Sequence, residues 1–309
     1  MNDNKHERLI CHNGKILPVK EASINVMSTT AQYGINVFEG IRCYLSEDNK
    51  HLFAFRLNEH LKRLFNSARL LRFELNKSLS PDIIKDQMVK VIQANGYYED
   101  LYVKIGLYLD GDAGWSSRGP VSLYILPTPK GRVYSDKEGL DCCVSSWIRI
   151  NDLAISPRIK AGANYMNSRM AFMEAQINGY DYGIFLNHQH KVAEGLGACI
   201  FIVRDNKIIT PSKTSSILES ITRDAVITIV RDHLSTEVEE RDIDRTELYL
   251  AEEVFFVGTS VEILPAVSID RMNVNSRKIG KITNSLISLY TNAARGKNPQ
   301  YNHWLTTIY

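Results

Sequence analysis

The sequence predicts a two-domain α+β protein, and three observations point there. Short apolar strands recur along the whole chain. Two helices with apolar stripes interrupt them in the first half. A stretch rich in Pro, Gly and charge, residues 128–136, then separates that half from a second run of strands and helices. The 309 residues are enough for two domains. The boundaries read as a smaller N-terminal unit over 1–127, a connecting loop over 128–136 and a larger C-terminal unit over 137–309.

Composition excludes several classes. The chain is 44% hydrophobic and 23% charged, ordinary for a globular protein. A net charge of +2, without long basic or acidic blocks, gives no reason to expect nucleic acid or an anionic membrane as partner. No apolar run approaches the roughly 18 residues of a membrane span, and the polar opening, Met1 to Arg8, lacks a signal-peptide core. The five cysteines (Cys11, Cys43, Cys142, Cys143 and Cys199) are odd in number and lack CxxC spacing, so they read as reduced thiols in the cytoplasm.

In chain order, residues 11–17 form a hairpin with an Asn13-Gly14 turn. Residues 33–44 hold Tyr33, Phe38, Arg42 and two glycines, Gly34 and Gly40. This reads either as backbone packed close to a ligand or as a strand bulged at Gly40. A strand over 51–55 ends at Arg56, which is either a solvated charge or an anion ligand at a strand end. Asn58 is a candidate cap for the helix that follows, with the stripe Leu61, Leu64, Phe65, Ala68 and Leu71. Ser80-Pro81 opens a second helix that buries Ile83, Ile84, Met88, Val91 and Ile92 and stops at Gly96. The strand over 101–109 sends Val103, Ile105 and Leu107 one way and Tyr102, Lys104 and Gly106 the other. Lys104 is therefore either a pocket residue or an edge-strand charge. An apolar strand over 121–127 closes this half.

The second half opens with a strand over 140–150. Its vicinal Cys142 and Cys143 read as strand packing. Asn164 is a candidate cap for a helix with the stripe Met166, Met170, Met173 and Ile177 and a stop at Gly179. A hairpin over 182–194 follows. Its His188 and His190 have no third ligand in view and read as a solvated turn. Glu194, between an apolar strand and glycines, needs a cationic partner. Ser220 caps a helix with the stripe Ala225, Val226, Ile229, Val230 and His233, and a helix start among hydroxyls suits a phosphate as well as simple capping. The buried strand 253–257 ends in Gly258-Thr259-Ser260, a second turn with N–H and hydroxyl groups. A terminal helix covers 279–294.

Lys160 organises these parts. It precedes three small residues, Ala161, Gly162 and Ala163, and then Asn164 and Tyr165. Small neighbours leave room beside the amine, and an amine in a partly apolar pocket can form an imine. A reactive lysine, a carboxylate, two phosphate-friendly turns and an arginine together match the needs of pyridoxal 5′-phosphate.

The motifs Tyr33-Gly34, Phe38-Glu39-Gly40-Ile41-Arg42, Lys160-Ala161-Gly162-Ala163-Asn164-Tyr165, Glu194-Gly195, Ile221-Thr222-Arg223 and Gly258-Thr259, in this order and spacing, resemble class IV (fold-type IV) aminotransferases. The likeness is greatest to the branched-chain amino acid aminotransferases and runs from about residue 10 to 290. It implies a small N-terminal α/β sandwich and a larger C-terminal pseudo-barrel, assembled as a homodimer. It also implies that Lys160 forms the Schiff base and moves the proton, and that Glu194 pairs with the pyridine nitrogen. Tyr165 would meet the phenolate oxygen and Leu218 would pack on the ring. Arg56, Ile221, Thr222 and Thr259 would hold the phosphate. Tyr33, Phe38, Gly40, Arg42, Tyr102 and Lys104 would face the substrate, with its carboxylate at Thr259-Ser260.

Five positions depart from the family pattern. Lys104 stands where an Arg is usual, the interdomain-loop Trp is missing near Thr128, Leu196 stands where a small residue is usual, Cys199 of Ala198-Cys199 stands at an Asn position, and Ser220 replaces a Gly. Altered substrate preference follows as an expectation. Three readings compete: a transaminase of branched-chain or related L-amino acids with 2-oxoglutarate, another fold-type IV reaction (an aminodeoxychorismate-type lyase or D-amino acid transaminase), and a non-catalytic homologue.

Overall fold

Alternation along the strands builds the first sheet. β1 (Leu9–His12) and β2 (Lys15–Pro18) form the expected hairpin, with Asn13 and Gly14 both at positive φ in its turn. The computed structural model describes residues 7–112, 114–134 and 137–309. Met1 to His6 of the polar opening, Ala113, and Ser135 and Asp136 of the connecting stretch lie outside the described residues. After the short helix α1 (Thr29–Tyr33), the chain runs through β3 (Asn36–Leu45) and β4 (Leu52–Phe55). Two helices follow, α2 (Leu57–Leu70) and α3 (Pro81–Asn95), and then β5 (Leu101–Leu109) and β6 (Val121–Pro129). The antiparallel sheet is ordered C-terminal strand (Leu305–Thr307), β4, β3, β5, β6, β1, β2.

One face of this sheet, with Val37, Ile41, Cys43, Val103, Ile105 and Leu107, packs under Leu61, Leu64 and Ala68 of α2 and Ile84, Met88, Val91 and Ile92 of α3. Several local expectations change. β3 pairs with β5 without a bulge at Gly40. Gly40 is required because an added Cβ would strike the Tyr102 hydroxyl, so the close approach is to a side chain. Asn58 lies inside α2. The cap position belongs to Arg56, left-handed at φ 53°, whose side chain caps nothing. β6 runs to Pro129, so Thr128 stands in a strand opposite Tyr102 and not in a loop. Ser80 and Gly96 bound α3 as expected.

The second sheet uses β7 (Leu140–Ile148), β8 (Tyr182–Leu186), β9 (Val192–Gly195), β10 (Cys199–Arg204), β11 (Lys207–Thr210), β12 (Val238–Glu240), β13 (Glu253–Gly258), β14 (Glu262–Ile269) and β15 (Met272–Asn273). Its order is β12, β11, β10, β13, β14, β7, β8, β9, with β15 on β14, and pairing is mixed parallel and antiparallel. β9, last in this order, turns straight into β10 and packs on it, which curls the sheet toward a barrel. Its helices are α4 (Tyr165–Ile177), α5 (Ile221–His233), α6 (Glu247–Leu250) and α7 (Lys281–Ala294).

Here α4 overturns an expectation. Its buried face is Ser168, Ala171 and Ala175, while Met166, Met170 and Ile177 are exposed. Small residues let this helix lie close to the sheet and turn the methionines outward. Asn164 does not cap it; its amide donates to the Ser156 carbonyl. His233 likewise lies outside the buried stripe of α5. Nor does α7 end the structure, because the C-terminal strand joins the first sheet.

The residues group into two units: 1–131 with 159–163 and 294–309, and 132–158 with 164–293. All five cysteines are free and buried. Among the described residues, no helix is long and apolar enough to cross a membrane.

Candidate active site

The first unit presents its candidate residues on the sheet face that does not carry the helices. Cross-strand register sets Gly40 opposite Lys104, Arg42 opposite Tyr102 and Phe38 opposite Gly106. Lys160 joins this group through its backbone. Phe38 N–H donates to the Lys160 carbonyl at 3.0 Å, Gly162 N–H donates to the Asn36 carbonyl, and Ala161 bridges Val37. Gly162 sits so close to the Asn36 amide that a Cβ would clash with it. Lys160 N–H donates to Ser67 Oγ at 3.1 Å. The Lys160 and Lys104 ammonium groups both lie against the Phe38 ring, at 5.0 and 4.8 Å from its centroid.

Arg42 is buried and donates to the Lys130 and Gly131 carbonyls at 2.8 and 3.1 Å. Lys130 in turn lies over Tyr102. Burial, and then the Arg42 charge, push the Lys130 ammonium pKa below its usual range. Arg56 pairs with Glu59 at 2.7 Å and stacks on Trp304. Tyr33 ends α1 and is exposed. Five of the substrate-facing candidates thus share one surface with Lys160. Arg56 is set at the head of α2, and Tyr33 on α1.

The second unit gathers the other candidates around Glu194, buried on β9. Its expected cationic partner is Arg149, whose Nε lies 2.7 Å from Oε1. Leu218 N–H donates to Oε2 at 3.3 Å, and Cys199 Sγ lies 3.9 Å from that oxygen. Gly195 is required beside it, because a Cβ would meet Tyr182 and Phe256. Ser220 caps α5 through Arg223 N–H, and Ile221 and Thr222 open the helix, both buried. Helix geometry leaves the N–H groups of that first turn without intrahelical acceptors. Thr259 and Ser260 follow β13 in a turn closed by Val261 N–H on the Gly258 carbonyl. Tyr165 is the first residue of α4.

Sequence reasoning missed four residues of the first unit and one of the second. Glu39, fully buried on β3, accepts from Arg63 Nε and Nη2 at 2.6 and 2.8 Å and from His60 Nδ1 at 2.7 Å. Burial alone would raise its carboxyl, but the Arg63 charge and the Arg63 and His60 hydrogen bonds outweigh that and bring it down to about 2. Burial, only partly offset by Glu39, pushes the His60 pKa down. A neutral His60 donating from Nδ1 fits both directions. The signal was present: Glu39 has the parity of core residues Val37 and Ile41. Ser67 and Arg149 carry no sequence signal of their own.

Comparison with known proteins follows the same lines. Residues 36–269 match the family model described as amino-transferase class IV. A probable branched-chain-amino-acid aminotransferase of Aquifex aeolicus is 40% identical over 301 residues, 96% of this chain and 95% of that protein. The branched-chain amino acid aminotransferase of Thermobaculum terrenum, solved in its PLP form, superposes with a TM-score of 0.92 at 41% identity, over 98% of this chain and 99% of that one. The branched-chain aminotransferase of the archaeon Thermoproteus uzoniensis, solved with norvaline, gives a TM-score of 0.92 at 36% identity, over 97% and 99%.

Proposed function

The chain belongs to the class IV aminotransferases, and on that premise we propose that it moves an amino group between a branched-chain or related L-amino acid and 2-oxoglutarate, with pyridoxal phosphate as cofactor. The observation that carries this reading is the Lys160 amine, set against the Phe38 ring on a backbone anchored by β3 and Ser67.

The residues present fit the cofactor. A buried carboxylate on a glycine-flanked strand end suits a protonated pyridine nitrogen. The first turn of α5 and the turn after β13 offer N–H and hydroxyl donors to a phosphate. When bound, pyridoxal phosphate supplies an aldehyde for the lysine and a ring that accepts the electron pair left at the substrate Cα. The chain's own residues do the rest. Lys160 Nζ would be the base that takes the proton from the substrate Cα. Glu194, beside Arg149, would hold a proton on the ring nitrogen. Ile221, Thr222, Thr259 and Arg56 would hold the phosphate, Tyr165 would meet the phenolate oxygen and Leu218 would pack on the ring. Tyr33, Phe38, Gly40, Arg42, Tyr102 and Lys104 shape the substrate side, and Thr259-Ser260 takes the carboxylate.

The proposal extends to assembly and compartment. The exposed Trp147, Ile148, Leu153, Met166, Met170 and Ile177 support a homodimer in which a second copy covers them. Five free, buried cysteines support a cytoplasmic location.

Purified protein is assayed with a panel of L- and D-amino donors and 2-oxoglutarate, alongside Lys160→Ala. The expected outcome is a yellow wild type that forms glutamate from L-donors, and a variant that loses both colour and turnover. Turnover at the wild-type rate in Lys160→Ala would overturn the assignment, and a lyase product or D-donor preference would move the chain to another reaction of the fold.

A further inference from the structure

One face of α2 carries Arg56, His60, Arg63 and Ser67 at spacings of four, three and four residues, so these positions stack along the helix. Each end of that face meets a proposed cofactor residue. Arg56 is the cap residue itself, and Ser67 Oγ accepts from Lys160 N–H at 3.1 Å. In the middle, His60 and Arg63 both grip Glu39 of β3. The neighbours of Glu39 on that strand, Phe38 and Gly40, emerge on the opposite, substrate-side face. Phe38 N–H also donates to the Lys160 carbonyl. The Lys160 peptide is therefore held from two sides, by β3 through its carbonyl and by α2 through its amide. Glu39 is the side chain that ties those two supports together. A bidentate guanidinium–carboxylate fork sets direction as well as distance.

We propose that Glu39, His60 and Arg63 are positioning residues, a buried clamp that locks α2 to β3 and thereby fixes the Lys160 backbone and the direction of its amine. None of the three is placed against substrate or cofactor. This inference rests on the reading of Lys160 as the cofactor lysine, but its first test does not.

That first test is amide hydrogen exchange of the cofactor-free protein, followed in peptides covering residues 156–164. Ser67→Ala and Glu39→Gln are each expected to speed exchange in that segment by about tenfold or more, while Ser67→Thr, which keeps the hydroxyl, restores protection. The second test is steady-state kinetics of the loaded enzyme. Because a misaimed amine slows chemistry and not substrate capture, kcat should fall about tenfold in Ser67→Ala and Glu39→Gln with KM within about twofold. Ser67→Thr should recover kcat. If Glu39→Gln does not fold, His60→Gln takes its place, since it leaves the Glu39–Arg63 fork intact. Unchanged exchange over 156–164 with unchanged kcat in folded variants would overturn the clamp. A wild type that neither takes up cofactor nor transaminates would instead sink the functional reading, and the exchange result would still decide the clamp.

Discussion

Glu39 of the first unit and Glu194 of the second are both strand residues, both withdrawn from solvent and both paired with an arginine. They differ in what surrounds the pair. Glu39 takes a two-nitrogen fork from Arg63 and a further bond from His60, all between 2.6 and 2.8 Å. Glu194 lies 2.7 Å from a guanidinium nitrogen of Arg149 at one oxygen, and the Leu218 amide and the Cys199 thiol are among the groups near the other. A buried carboxylate saturated with short, charged bonds anchors structure. Glu194, at a glycine-flanked strand end, is the one proposed to meet the cofactor nitrogen.

The largest effect that can break this contrast is on rate. Glu194→Gln should still take up cofactor but lose kcat by about 100-fold or more, a few kcal/mol of transition-state stabilisation. The measurement is kcat at saturating cofactor. An unchanged value would make Glu194 a structural pair like Glu39 and erase the distinction.

Glu39→Gln should sharpen it from the other side, with stability as the main loss. Removing one partner of a buried ion pair costs about 3–5 kcal/mol at neutral pH, against only about tenfold in kcat. The Glu39 carboxyl sits at about 2, below its ordinary 4.5. Its contribution is therefore fully present above about pH 4.5 and lost as pH falls from there toward 2. The gap in urea midpoint between wild type and Glu39→Gln should narrow as pH falls from about 4.5 toward 2. A gap that does not change with pH would show that the charge on Glu39 does not matter.

The smallest expected effect concerns substrate choice on the open face of the first sheet. Lys104 brings a point charge to the Phe38 ring where an Arg would bring a planar fork. Lys104→Arg combined with Thr128→Trp should raise the kcat/KM preference for Leu, Ile and Val over bulkier or more polar donors by several-fold, a change of about 1 kcal/mol. Thr128 lies opposite Tyr102 in β6, so the new ring would stand on the sheet and not in a loop. If wild type already prefers the three aliphatic donors and the double variant leaves that unchanged, these positions do not set specificity.

Much of this was legible in the chain. The parity of residues 101–109, the Ser80 and Ser220 caps and the Asn13-Gly14 turn are local, because they depend on residues a few positions apart. The motif residues Lys160 and Glu194 were legible through their small neighbours, and Glu194 also through its need for a cation. The misreadings share one cause. Met166, Met170, Met173 and Ile177 have helical period, but period says only that a stripe exists. Whether that stripe or the small-residue face of Ser168, Ala171 and Ala175 turns inward depends on how close the sheet lies. Asn58 and Asn164 have the chemistry of caps, yet Asn58 lies inside α2, behind Arg56 in the left-handed region, and the Asn164 amide donates to the Ser156 carbonyl and makes no capping bond.

By itself the sequence pointed to the element types through spacing and alternation, and to the family and to Lys160 as the proposed reactive lysine through the resemblance of its motifs. Only the tertiary structure decided what holds that lysine. Ser67 lies 93 residues from Lys160, and Arg63 lies 24 from Glu39. Hydrogen bonds over such separations form only where the fold brings two strands, or a strand and a helix face, into one register. The same applies to Arg149 and Glu194: each alone is an ordinary charged residue, and burial together makes them a pair.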